Sequence, residues 1–148
     1  MKKLLLTSLV LAIAVSVFVA PVQASTKGWG GGLHVHDGDF GFQFRKDMAL
    51  GGDISQLTTQ LGMVFPGSKA WFTFDLDYHF IISNDSGTSR FYPLAGLGFK
   101  TEFDRFKFGI NGGGGVNFML TDSMAAFGEV KYVFTGWDGF AFTLGFYF

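Results

Sequence analysis

Residues 70–82 read AWFTFDLDYHFII, and their alternation decides the fold. Phe72, Phe74, Leu76, Tyr78, Phe80 and Ile82 occupy even positions, whereas Thr73, Asp75, Asp77 and His79 occupy odd ones. A helix, with its 3.6-residue period, would scatter both sets around its circumference. An extended chain points successive side chains to opposite faces, so this stretch predicts a strand with one greasy and one charged face.

The same period recurs on both sides of it. In FKFGINGGGGVNFML (106–120), Phe106, Phe108, Ile110, Val116, Phe118 and Leu120 oppose Lys107, Asn111 and Asn117. In SMAAFGEVKYVF (123–134), Met124, Val130, Tyr132 and Phe134 oppose Glu129 and Lys131. FAFTLGFYF (140–148) sets Phe140, Phe142, Leu144, Phe146 and Phe148 on every second position. Upstream, WGGGLHVH (29–36) sets Trp29, Leu33 and Val35 against His34 and His36. FGFQFR (40–45) opposes Phe40, Phe42 and Phe44 to Gln43 and Arg45. MALGGDIS (48–55) opposes Met48, Leu50 and Ile54 to Asp53 and Ser55. In FYPLAGLGFK (91–100) Lys100 lies opposite Phe91, Ala95, Leu97 and Phe99, and Pro93 is expected near a rim or a bulge.

Eight strands follow, separated by turn-forming stretches at 37–39 (DGD), 46–47 (KD), 83–88 (SNDSGT), 121–122 (TD) and 135–139 (TGWDG). The longest break runs from about Gln56 to Lys69. An even strand count returns both ends of the sheet to one side, with short turns there and mostly longer loops opposite.

The beginning of the chain has a different character. Lys2 and Lys3 precede an apolar run from Leu4 to about Ala20, and Val22 and Ala24 stand where a leader is cut. Residues 1–24 are expected to be a cleaved signal peptide and residues 25–148 one barrel domain. Losing the two lysines takes the formal charge from −1 to −3, which does not suit nucleic-acid binding. No cysteine is present, so no disulfide framework supports the fold.

An antiparallel sheet with these two faces closes in one of two ways. A soluble carrier turns the apolar face inward around a greasy ligand; a membrane barrel turns it outward to lipid. The 20 phenylalanines favour the second, because such a surface in water would far exceed the patch a soluble monomer tolerates. The polar face then lines the interior. Arg45, Asp53, Asp75, Asp77, His79, Lys107, Glu129 and Lys131 are its expected network, with charges near balance so that neighbours compensate.

With these residues in view, the chain resembles the small eight-stranded outer-membrane β-barrel family of Gram-negative bacteria, the outer membrane protein β-barrel domain or porin-family type. The leader, FYPLAGLGFK, GINGGGGVNFMLTDSMAAFGEVKYVF and the row ending at Phe148 carry the resemblance, which spans residues 28–148. It implies an all-β, up-and-down transmembrane barrel in the outer membrane, with lipid around it. It also implies that Phe140, Phe142, Leu144, Phe146 and Phe148 are read by the barrel-assembly machinery. A monomer without cofactor, metal or catalytic site is expected.

Three other chemistries are conceivable for these residues. His34 and His36 could join Asp75, Asp77 and His79 around a divalent metal. Ser55 and Ser89 could serve a lipid-modifying enzyme, although neither has a nucleophile motif around it. GGGG at 112–115 lacks the lysine and helix of a phosphate loop, and is better explained as room for bulky neighbours.

Overall fold

The computed structural model describes residues 28–50, 54–84, 87–102 and 105–148. The expected leader (1–24) and Asp53 lie outside the described residues. The strands are β1 (Trp29–His36), β2 (Asp39–Ala49), β3 (Ser55–Val64), β4 (Trp71–Phe80), β5 (Ile82–Ser83), β6 (Ser89–Thr101), β7 (Phe106–Met119), β8 (Ala125–Phe134) and β9 (Gly139–Tyr147). Each pairs antiparallel with its neighbour, and β1 also pairs with β9, so the sheet closes on itself.

β4 and β5 are one stave. Both pair with β6 in a single register, from Phe72↔Thr101 to Ser83↔Arg90. The ladder breaks at 80–81, where Phe80 would face Pro93, which has no N–H to donate. The barrel therefore has eight staves in up-and-down order. Closure pairs the backbone groups of every stave, the condition for a sheet to survive in hydrocarbon.

The faces sort as the period predicts. On β9, Gly139, Ala141, Thr143, Gly145 and Tyr147 are buried, while Phe140, Phe142, Leu144 and Phe146 are more than half exposed. The wall carries Phe42, Phe44, Phe80, Phe91, Phe108, Phe118 and Phe134 outward, and buries Arg45, Asp75, Asp77, Glu129 and Lys131 inward. An interior built of ions inside an exterior built of rings is the inverse of a soluble core.

Two expectations need correction. Lys46 and Asp47 do not form a turn: β2 runs through them to Ala49, and β3, which starts at Ser55, fills most of the expected long loop. Asp47 stays in the strand because it accepts the Thr58 hydroxyl at 2.9 Å from β3. Lys46 is buried at the barrel's rim, its ammonium 4.8 Å from the Trp29 ring. The second correction concerns loop length. Phe148 N–H donates to Trp29 O at 3.0 Å, defining a near end whose connections are 50–54, 84–88 and 120–124. The far-end connections are 37–38, 65–70, 102–105 and 135–138, so neither end carries a long loop. The tightest, Asp37-Gly38, has both residues at positive φ (49° and 91°), the two-residue hairpin turn that matches strand twist.

Candidate functional site

The interior is a column of polar side chains with two carboxylate centres. Glu129, on β8, is the first. Arg45 of β2 donates from Nη2 to its Oε2 at 2.5 Å, Tyr92 Oη donates to the same oxygen at 3.1 Å, and Gln60 Nε2 donates to Oε1 at 3.2 Å. The Arg45 guanidinium also lies 4.3 Å from the Phe127 ring centroid. His79 packs flat on Tyr92, centroids 4.3 Å apart, with Nε2 3.9 Å from Glu129.

Asp75 and Asp77, two residues apart on β4, make the second centre. Lys131 Nζ bridges their Oδ2 atoms at 3.2 and 3.0 Å. Asn111 Nδ2 bridges their Oδ1 atoms at 2.8 and 2.9 Å. Gly96 is required beside them, because a Cβ there would run into the Asp77 carboxylate and the Leu76 carbonyl.

Gln60 joins the two centres. Its Oε1 accepts from Gln43 (2.7 Å) and Lys131 (2.8 Å), and its Nε2 donates to Asp77 (3.1 Å) and Glu129. One amide thus uses both donors and both lone pairs. These links cross the lumen between β2, β3, β4, β7 and β8, so side chains fill it.

Of the expected network, Arg45, Asp75, Asp77, His79, Glu129 and Lys131 come together, each 5 % exposed or less. Lys107 does not: it is exposed at the far rim, paired in register with Lys100. Lys100 is buried at the far mouth, its ammonium 2.7 Å from the Trp71 ring centroid and 5.2 Å from that of Trp137. Gln60, Gln43, Asn111 and Tyr92 are members that charge-based reading passes over. For Gln60 the signal was present in SQLTTQLGMV (55–64), whose inward positions carry Thr58, Gln60 and Gly62.

The histidines pack against neighbouring lumen side chains. His34 Nδ1 meets Thr143 Oγ1 at 2.9 Å, and His36 lies against Trp137 with centroids 4.7 Å apart. Among the described residues no group of three or more His, Cys, Asp or Glu is disposed to hold a metal ion. The glycine run leaves room as expected: a Cβ at Gly115 would strike the Tyr92 ring.

Solved structures share this architecture. The N-terminal β-barrel domain of OprF from Pseudomonas aeruginosa superposes with a TM-score of 0.68 at 15% identity, covering 84% of this chain and 98% of that one. The fold is that of the eight-stranded outer-membrane barrels. Ail, the attachment invasion locus protein of Yersinia pestis, gives 0.55 at 14% identity, over 81% of this chain and 92% of that one. Its structure in a phospholipid bilayer nanodisc gives 0.56 at 11% identity, over 83% and 99%. No family model and no curated protein matches the sequence.

Proposed function

We propose that the chain is an integral outer-membrane protein, exported through a leader at residues 1–24, whose role is structural and non-catalytic. The observation that carries this reading is the pairing of an apolar exterior with a lumen bridged by Arg45, Gln60, Lys131 and Glu129. A solute pore needs a clear lumen, and eight strands leave room for little but side chains.

Adhesion is the weaker alternative. Attachment belongs to the name of Ail, and here the far-end connections span six residues at most, which gives little reach toward a partner. Enzymatic work on lipid is weaker still. The hydroxyls that meet a histidine, Thr58 Oγ1 at 3.3 Å from His79 Nδ1 and Thr143 Oγ1 at 2.9 Å from His34 Nδ1, are both buried.

Fractionation followed by electrophoresis of unheated and boiled membranes tests the reading. The protein should stay with detergent-solubilised membranes and change mobility on boiling; a soluble, heat-insensitive band would overturn the membrane assignment. In planar bilayers the refolded protein should give no steady conductance steps, and sustained steps of porin size would overturn the filled-strut role. Unchanged lipid composition in a deletion strain is expected, and a missing lipid modification would favour the enzyme.

The outward row Phe140, Phe142, Leu144, Phe146 and Phe148 fits the proposed assembly signal, because all five rings and side chains are more than half exposed. Deleting Phe148 should lower the inserted amount and leave periplasmic aggregates; equal insertion would count against it.

A further inference from the structure

The outer wall is not the same all the way round. β2 and β7 stand four staves apart in either direction, so they lie on opposite sides of the barrel. Around β2 the wall is raised: Phe42 and Phe44, Leu33 of β1, and Leu144 and Phe146 of β9 are all more than half exposed. Around β7 it is bare. Gly112 and Gly114 point outward there, beside Ala95 and Pro93 of β6, and Gly128 of β8 faces Val116. A Cβ on Gly112 would have only the edge of the Phe134 ring within 4 Å, at 3.4 Å, so the space above it is open. Phe91, Ile110 and Tyr132 frame this hollow. Phe44 lies five residues in from the far end of β2, and Gly112 lies six in from the far end of β7, so knob and hollow stand at similar depth.

The far rim above these two faces differs in charge. Over β1 and β2 stand Asp37 and Asp39, with no lysine or arginine between His36 and Phe40. Over β6 and β7, Arg105 and Lys107 are exposed, and with Lys100 they outnumber Glu102 and Asp104. The raised face therefore carries an acidic rim and the hollow face a basic one.

We propose that copies of this chain pack side by side in the membrane, the β2 face of one seated in the β6–β8 hollow of the next. This rests on the outer-membrane reading above. In lipid, apolar surfaces gain nothing by leaving water, and association follows close packing, which small residues permit by letting a neighbour reach the backbone. Phe44 supplies the knob and Gly112 the place for it. Ion pairs between the two rims are exposed and worth little in energy; their part is to select which faces meet. A two-fold pair would set each face against itself, with Arg105 and Lys107 against their own copies and hollow against hollow. The charges thus favour unlike faces. Copies inserted in one orientation, joined through opposite sides, repeat without closing, so the assembly is a row and not a ring.

The chain has no cysteine, so introduced thiols report contacts without background. Phe44→Cys and Gly112→Cys are refolded into vesicles of phosphatidylethanolamine and phosphatidylglycerol, separately and together, and oxidised. The mixture should give a cross-linked dimer that neither variant gives alone, and the double variant should give a ladder of multimers. A second pair, Phe42→Cys with Ile110→Cys, should also give a ladder, and adding Gly112→Leu, which fills the hollow, should abolish it. If that variant does not fold, Arg105→Glu with Lys107→Glu decides: the ladder should fade at low salt and return when salt screens the repulsion. Inserted, heat-modifiable protein that stays monomeric would overturn the row and leave the membrane assignment standing, with lipid filling the hollow. Cross-linking of Gly112→Cys alone as strong as in the mixture would overturn it in favour of a two-fold pair. A ladder that survives Gly112→Leu, or that falls in simple proportion to dilution with lipid, would reduce it to chance collision. Protein that neither inserts nor shifts on boiling would overturn the membrane reading itself, and the row with it.

Discussion

Glu129 and the Asp75–Asp77 pair lie on either side of the Gln60 amide, yet burial treats them differently. Glu129 is a single carboxylate with an arginine, a tyrosine and an amide directed at it. The aspartates are two carboxylates around one lysine and one asparagine. The first centre pairs one carboxylate with one guanidinium, whose Nε and Nη1 make no hydrogen bond; the second sets two carboxylates against one ammonium, and the Asn111 Oδ1 beside them accepts none. Hydrogen bonding and charge are thus separate requirements of a buried site, and a barrel interior can meet one without the other.

The largest effect should come from breaking the closed centre. Glu129→Ala leaves the Arg45 guanidinium fully buried without its anion, at a cost of about 3–5 kcal/mol. Adding Arg45→Met should restore most of the loss, because the stranded charge disappears. Urea unfolding of the refolded single and double variants measures this directly, and strictly additive costs would mean that the pair does not act as a unit.

Lys131→Met attacks the open centre. It leaves Asp75 and Asp77 without the cation they share, at a cost of about 3 kcal/mol. The comparison sharpens here. Adding Asp77→Asn should recover only part of the Lys131→Met penalty, because Asp75 stays buried without a cation, whereas Arg45→Met recovers most of the Glu129→Ala penalty. Equal recovery in the two double variants would erase the distinction between the centres.

Gln60→Leu should cost less, about 1–3 kcal/mol, because it removes the bonds of a neutral amide while the ion pairs of both charge centres stay in place. Its sharper readout is coupling. With Gln60 present, the losses in Glu129→Ala and Lys131→Met should be non-additive; with leucine there they should become additive.

How much of this was legible depends on which face a residue serves. The outward rows of β4, β7, β8 and β9 are rich in phenylalanine and aliphatic residues at strict period two, and lipid exposure asks for nothing more, so strand identity and facing were readable. β3 was not, because its inward Thr58 and Gln60 carry no charge and its outward side has only Leu57, Leu61 and Met63 to show the period. Lys46-Asp47 misled for the opposite reason: adjacent charges look like a turn, yet one faces the lumen and the other a rim tryptophan. Within the site, charged members declare themselves, but the contacts among them depend on register. Nothing in the local sequence says that Asn111 meets both aspartates 34 and 36 residues away.

Lys107 gives the smallest effect and checks the boundary of the column. Its position along β7 has inward parity, like Gly109 and Asn111, but it stands at the far rim, exposed, directly across from Lys100. Like charges opposite one another on a ladder repel, so Lys107→Ala should leave the unfolding midpoint unchanged or slightly raised. Lys100→Ala, by contrast, should lower it, because that side chain is buried against Trp71 and its removal opens a hole at the mouth. The two lysines differ by burial and not by charge or parity. A clear loss of stability in Lys107→Ala would therefore mean that the polar column extends to the far rim, and that charge balance must be counted over the whole height of the barrel.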